Sequence, residues 1–363
     1  MKIAVVMPRG GLMDRDRANS METVARIQTE HSRYAGEIQI VCDAGAEVPA
    51  PFDLITVPAG LAKGPRLQAV ERVLRDLRPD IIEYHQQLES AAILAGRLRG
   101  PANVLYRHTQ VKRPGNLIDR FRYRARLGRF DHLILVSEAA CAEFSADYPG
   151  FQDRLSAICN PIDMGPWRAD PQIKEPLILF SGRAMADKGL DVFCEAVALT
   201  LDRFPDWRAA LMLGDWTQHE AWAAPHVDAL FRFGDRVEVH RSAPLPLVRA
   251  MTRRAAIAVT PSRVTEAFGL SAVEALAAGA ALISSGRGGL REASGPHAVY
   301  VDPPDAGALA DAMASLIANP GDRIAMARAG QAYVAREHSP ERRAAQLDDL
   351  RDRLILAKRS GAS

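Results

Sequence analysis

The sequence predicts an α/β chain built as two doubly wound domains. Short apolar runs alternate with helical patterns from end to end, a proline-rich break interrupts them near the middle, and the alternation then restarts. Parallel strands buried on both faces read as continuous apolar runs of this kind. A length of 363 residues suits two domains better than one.

In the first half, strands are expected at residues 3–7, 38–41, 54–57, 81–84, 104–106 and 133–136. Helical patterns lie between them at 21–34, 66–77 and 91–98. The break at 159–176 holds Pro161, Gly165, Pro166, Pro171 and Pro176, the composition of a linker. Beyond it, strands are expected at 177–181, 209–213, 237–239, 257–260 and 281–284. The helices there are 189–204, 246–254, 271–278 and 305–317. Residues 340–358 form one amphipathic helix, with Leu347, Leu350, Leu354 and Ile355 on one side. It either caps the second domain or crosses back onto the first. The expected partition is a domain over 1–163, a linker over 164–176, a domain over 177–340 and a terminal helix over 341–363. Such sheets bind ligands beyond the carboxyl ends of their strands, and an interdomain cleft is the default site.

Lys+Arg total 46 against 44 Asp+Glu, so no nucleic-acid partner is expected. Cys42, Cys141, Cys159 and Cys194 are scattered, with no CxxC pair. Neither a zinc site nor a disulfide framework is indicated, and a cytoplasmic setting fits. The run 3–7 stops at Pro8, too short for a signal-peptide core, and no run approaches a membrane span.

Two segments carry chemistry. In Thr260-Pro-Ser-Arg-Val-Thr-Glu266-Ala-Phe-Gly-Leu-Ser-Ala-Val-Glu274 a strand runs into a loop and then a helix near Ser271. Ser271 and Glu274 have capping-box spacing, and Gly269 permits close backbone approach. Amides at such a helix start suit phosphate. Glu266 would be repelled by phosphate and is better placed to accept sugar hydroxyls. Taken alone, this segment is equally a plain capped helix. The second segment follows the strand at 177–181: Gly182-Arg183-Ala-Met-Ala-Asp-Lys188-Gly189. Arg183 offers a planar fork for phosphate oxygens and Lys188 a compact charge. The P-loop pattern is absent.

Glu-x7-Glu enclosing Phe-Gly-Leu, preceded by Gly-Arg…Lys-Gly upstream, resembles family 4 of the retaining GT-B glycosyltransferases. Pro79-Asp-Ile-Ile-Glu-Tyr-His85, Val136-Ser137-Glu138, Asn160-Pro-Ile-Asp163, Pro261-Ser262 and Asp302-Pro303 resemble further family segments in the same order. The resemblance spans nearly the whole chain. It implies a GT-B fold of two Rossmann-like domains and a nucleotide-diphosphate sugar as donor. Arg183 and Lys188 would bind the diphosphate, Glu266 the transferred sugar and Glu274 the ribose. Phe268, Gly269 and Leu270 would present backbone amides. Gly10 and Gly11 resemble the family's glycine loop near the diphosphate, and His108 its histidine near the sugar. No cofactor or metal is implied; Asp14-Arg-Asp16 spells D-x-D but lies in a polar loop and is taken as surface. Arg241 and Trp216 stand where the family favours glycine, which leaves the base open.

Between Lys112 and Arg129 stand seven cations against one acid, Asp119. Leu117, Ile118, Phe121 and Ala125 share one helical face. Such a helix suits an anionic membrane surface or a phosphate-bearing lipid acceptor. The alternative is a helix docked on the protein by that stripe. The expected activity is therefore retaining, metal-independent transfer of a hexose-type sugar to a glycan or lipid-linked acceptor, in cell-envelope polysaccharide or lipopolysaccharide synthesis. The basic helix would rest on the inner face of the cell membrane. Competing readings are a GT-B nucleotide-sugar epimerase, which lacks this Glu-x7-Glu arrangement, and an inactive GT-B scaffold.

Overall fold

The computed structural model describes residues 1–14, 20–110 and 113–360. The chain divides into two compact units, one of Met1–Pro161 joined by the described residues from Pro340 onward, the other Ile162–Ser339. Each contains one wholly parallel sheet.

The first unit's strands are β1 (Ile3–Val6), β2 (Ile38–Asp43), β3 (Asp53–Val57), β4 (Ile81–His85), β5 (Ala102–Arg107), β6 (His132–Leu135) and β7 (Leu155–Ala157). Their order across the sheet is β3-β2-β1-β4-β5-β6-β7. Successive side chains of β1 face opposite ways, so Ile3 and Val5 enter one apolar cluster and Ala4 and Val6 another. Both faces are covered, which is why the strands read as unbroken apolar runs.

The second unit's strands are β8 (Glu175–Arg183), β9 (Arg208–Gly214), β10 (Val237–Arg241), β11 (Ala255–Thr260), β12 (Ala281–Ser284) and β13 (Ala298–Tyr300). Their order is β10-β9-β8-β11-β12-β13. In β8, Ile178 and Phe180 face one cluster and Leu177 and Leu179 the other. Each sheet therefore reverses its strand order once, at β1/β4 and at β8/β11. Parallel sheets of this kind offer a ligand crevice where the order reverses.

Three expectations require correction. Residues 164–176 are not a free connector. Trp167 is buried beneath Arg249, with the guanidinium 5.5 Å from its ring centroid. Lys174 Nζ donates to the carbonyls of Arg253 and Ala278, at 2.7 and 2.6 Å. This stretch is therefore docked on the second unit. Asp14 is not a surface residue: its Oδ2 accepts the amides of Glu47 and Val48 at 2.7 and 3.2 Å, and it is buried. It closes a loop, while Asp16 lies outside the described residues. Third, the helices Glu138–Asp147, Trp216–Asp228 and Pro320–Glu337 were not foreseen.

The terminal helix Pro340–Ser360 packs on the helix Ser20–Glu30. A buried charge cluster fastens it. Arg351 makes a bidentate pair with Glu83 of β4 at 2.6 and 2.8 Å, and reaches Asp348 at 2.8 Å and Ser32 at 3.1 Å. Ser32 and the Arg33 amide donate to Asp348 in turn, at 2.7 and 2.8 Å.

Candidate functional site

In the second unit, the singled-out residues gather on the loops after β8 and β11, the two strands at the order reversal. Arg183 ends β8, and its exposed side chain has no partner among the described residues. Lys188 lies five residues on, and its Nζ pairs with Glu266 Oε1. Ser262 Oγ donates to the same oxygen at 2.5 Å. Glu266 Oε2 has no partner among the described residues, so one carboxylate oxygen stays open for a hydroxyl. The pair answers the electrostatic objection to a carboxylate beside phosphate, because Lys188 compensates it.

The two loops are locked by backbone contacts. Gly189 has φ +70°, and a Cβ there would stand 2.1 Å from the Pro261 carbonyl oxygen. The Arg263 amide donates to the Asp187 carbonyl at 2.9 Å, and its guanidinium pairs with Asp191 at 2.8 Å.

The helix Leu270–Ala277 starts on Gly269, not on a side-chain cap. The capping box between Ser271 and Glu274 is not formed. Gly269 at φ +104° supplies the left-handed turn instead, and a Cβ there would strike Leu290 at 2.4 Å. Phe268 is buried with its ring edge-on to His338, which anchors the turn. The amides of Leu270 and Ser271 have no acceptor among the described residues, leaving the helix start open to an anion.

Glu274 keeps some surface, but its carboxyl is surrounded by protein. Burial pushes it up to about 7, against a smaller lowering from Arg249. It borders a small cavity with Ser181, Thr260 and Ser271. Thr260 Oγ1, on this cavity's wall, is buried without a partner among the described residues. A polar recess with spare acceptors and hydroxyls suits a hydroxylated ligand. The raised carboxyl has a stability consequence. The folded state holds its proton above the unfolded value, so stability is lost as pH rises through about 7. Glu274→Gln should therefore be more stable than wild type at pH 8, by about 3 kcal/mol at most, and lose that advantage near pH 4.5. Thermal denaturation at both pH values checks this.

The glycine-rich loop Ser285-Gly-Arg-Gly-Gly289 belongs to the same construction but was missed. Gly289 donates to the Glu266 carbonyl at 2.9 Å, and a Cβ on Gly288 would meet that oxygen at 2.5 Å. The signal was present: glycines packed directly behind a strand end, before a short helix. Trp216 and Arg241, both departures from the family pattern, meet each other, with the guanidinium 4.4 Å from the ring centroid.

In the first unit, Gly10 follows β1 and His108 follows β5. Gly10 has φ +87°, which favours glycine. Its amide donates to Asp43 at 2.8 Å, and that of Gly11 to the Pro8 carbonyl at 3.0 Å. Both amides are thus engaged within the loop. His108 Nε2 lies 2.9 Å from Nδ1 of His85, and its ring stacks on Tyr106 at 4.7 Å. Burial, then His85 and Arg107, hold His108 well below the usual histidine range. Burial likewise brings His85 down to about 4. Both rings are neutral near pH 7. His85 was visible at the end of its strand but was not chosen as a site residue.

Two units with parallel sheets and a site at the switch point of the second define a GT-B fold. Sucrose-phosphate synthase from Thermosynechococcus elongatus superposes with TM-score 0.79 at 20% identity, covering 98% of this chain and 100% of that one. An Anabaena protein, HepE, solved with UDP-glucose, gives 0.77 at 14% identity over 97% and 100%. The model for glycosyl transferases group 1 matches residues 175–319, and that for glycosyltransferase family 4 matches residues 27–165. Together they take in most of the sequence, and the chain belongs to the family 4, group 1 glycosyltransferases. A D-inositol 3-phosphate glycosyltransferase of Xylanimonas cellulosilytica is 33% identical over 48% of this chain and 42% of its own length. A lipopolysaccharide core biosynthesis mannosyltransferase of Rhizobium leguminosarum is 28% identical over 49% and 51%. The chain spans about half the length of the curated relatives it matches.

Proposed function

We propose that this protein transfers a hexose-type sugar from a nucleotide-diphosphate donor to a glycan or lipid-linked acceptor, with retention of configuration and without a metal ion. The setting would be cell-envelope polysaccharide or lipopolysaccharide synthesis. The observation that carries this reading is the Lys188–Glu266 pair beside the open helix start at Gly269. Those groups are what a departing diphosphate and a bound sugar need. As the glycosidic bond breaks, negative charge grows on the leaving phosphate. Arg183, Lys188 and the amides at the helix start would donate to that charge and so lower the barrier. Glu266 Oε2 would accept a sugar hydroxyl, and Glu274 the ribose hydroxyls. Neutral His108 would bond the sugar or orient the acceptor. The names of the relatives and the UDP-glucose held by the Anabaena protein support a nucleotide sugar as donor. A thermal-shift screen of UDP-, GDP- and ADP-sugars tests the donor class. At 100 times its dissociation constant, the right donor should stabilise by about 2.7 kcal/mol; no shift with any of them would count against the reading.

The same reading places the protein in the cytoplasm, against an anionic membrane face. No helix among the described residues is long and apolar enough to cross a membrane. The basic helix spans Leu117–Leu127 and is capped by Asn116, whose side chain accepts from the Asp119 amide at 2.8 Å. Its stripe is not docked on the protein: Leu117, Ile118 and Phe121 are 81%, 65% and 74% exposed. Leu127, buried in the first unit's core, and Tyr123, partly buried against it, hold the helix instead. Arg120, Arg122 and Arg124 flank the apolar residues, while Lys112 lies outside the described residues. Co-sedimentation should be stronger with anionic than with neutral vesicles, and weaker in Phe121→Ser. Equal binding to both vesicle types would refute the membrane role.

A further inference from the structure

We propose that a cavity of the first unit seats a phosphate group carried by the acceptor, an inference that rests on the glycosyl-transfer reading and deepens it. The cavity is about 400 Å³, walled by Arg9, Lys63, Arg66, Glu89, Arg107 and Arg126. Glu89 pairs with Lys63 at 2.6 Å and with Arg126 at 3.2 Å. Arg66 is held from behind by Asp43 at 2.6 Å. Positive charge still exceeds negative by three, counting these five cations against Glu89 and Asp43.

Two helices begin at this wall. Lys63 and Arg66 lie in the first turn of Lys63–Leu77, and Glu89 in that of Leu88–Arg97. Neither start has a side-chain cap. Free amides and the positive ends of two helix dipoles are thus added to the cations. Gln86 and Gln87, which lead into the second helix, hold φ of 57° and 25°, a conformation non-glycine residues rarely adopt.

Arg107 is the most telling member. Its Nε is buried without a partner among the described residues, and one terminal nitrogen is spent on Thr109 and the Gln110 carbonyl, at 3.3 and 3.0 Å. Burial lowers its pKa without a carboxylate to offset it. A desolvated guanidinium beside two uncapped helix starts matches the planar, multi-donor demand of a phosphate. Arg9 has no partner among the described residues and directly precedes Gly10, the loop assigned to the donor side. A phosphate anchored here would orient an acceptor through a group remote from its reacting hydroxyl, so that binding energy is used to align it. Tyr123 and Arg126, on the exposed basic helix, line the same cavity.

The test uses the full chain, with inorganic phosphate and glycerol 3-phosphate as probes in calorimetric titrations. Saturable binding that the cavity variants lower is expected. Arg107→Gln should weaken it roughly 10- to 100-fold, the span of a charge-assisted hydrogen bond. Arg9→Gln, on an exposed turn, should weaken it several-fold and decides the matter if Arg107→Gln does not fold. Arg183→Ala should leave phosphate binding intact while weakening that of nucleoside diphosphate. Vesicles of phosphatidate in neutral lipid separate the sources. Binding that Arg9→Gln lowers in parallel marks a lipid head group; binding of the soluble probe alone marks a soluble phosphorylated acceptor. No saturable binding in wild type, or equal binding in both cavity variants, overturns the proposal and leaves the donor reading standing. Failure of nucleoside diphosphates to bind wild type overturns the donor reading, and the acceptor role with it.

Discussion

Alanine at Arg183 or at Lys188 should lower turnover of the donor sugar by roughly 10²–10³, the loss typical of removing one oxyanion donor. The two losses should differ in kind. Arg183 is exposed and unpaired among the described residues, so its removal takes away a charge and disturbs little else. Lys188 compensates Glu266, so its removal also leaves a carboxylate beside the place assigned to phosphate. Lys188→Ala should therefore weaken donor binding as well as turnover, and partial recovery is expected in Lys188→Ala with Glu266→Gln. The two positions share one network, so their effects should not add. Steady-state kinetics of the two single variants and that double variant check this. Near-normal rates in Arg183→Ala and Lys188→Ala would remove both residues from the mechanism.

The second large effect concerns stability. Arg351→Met should destabilise the first unit by about 3–5 kcal/mol, because it leaves Glu83 and Asp348 buried without their shared cation. For a unit of this size, that corresponds to a fall in melting temperature of roughly 6–20 °C. The effect should be nearly independent of salt, since buried pairs are screened far less than exposed ones. By contrast Arg33, which pairs with Asp349 and Asp352 on the exposed side of the same helix, should matter little when replaced. A melting curve unchanged by Arg351→Met would mean that the helix Pro340–Ser360 is held by its apolar side alone.

Strands were easier to read from the sequence than helices, and the reason is burial. Runs such as Leu177–Phe180 are covered on both faces, so every position is apolar. The helix Pro320–Glu337 buries only Ala327, Gly330 and Val334, residues too small to stand out as a stripe. The helix Trp216–Asp228 carries Pro225 inside it and buries few side chains. The helix Glu138–Asp147 did announce itself, through Ser137, whose Oγ accepts from the Ala140 amide at 3.0 Å. That serine was taken only as a strand end.

The site shows the same division. Arg183, Lys188, Glu266 and Glu274 could be named because strand-end loops with charged residues are legible in one dimension. Their couplings were not. That Lys188 and Glu266 would pair, or that Glu274 would sit in a recess instead of capping its helix, depends on which loops pack together. Arg351, a positioning residue of the fold, finds its partner Glu83 268 positions away. No local pattern reports such a pairing. The stripe at Leu117, Ile118 and Phe121 was seen, but its exposure depends on the rest of the unit.

The most direct test of the account is release of nucleoside diphosphate from a panel of UDP-, GDP- and ADP-hexoses, measured with purified full-length protein in excess EDTA. The account predicts slow turnover of at least one donor, unaffected by the chelator and lost when Arg183 and Lys188 are both alanine. No release from any donor, or release that the chelator stops or the double variant retains, would contradict it.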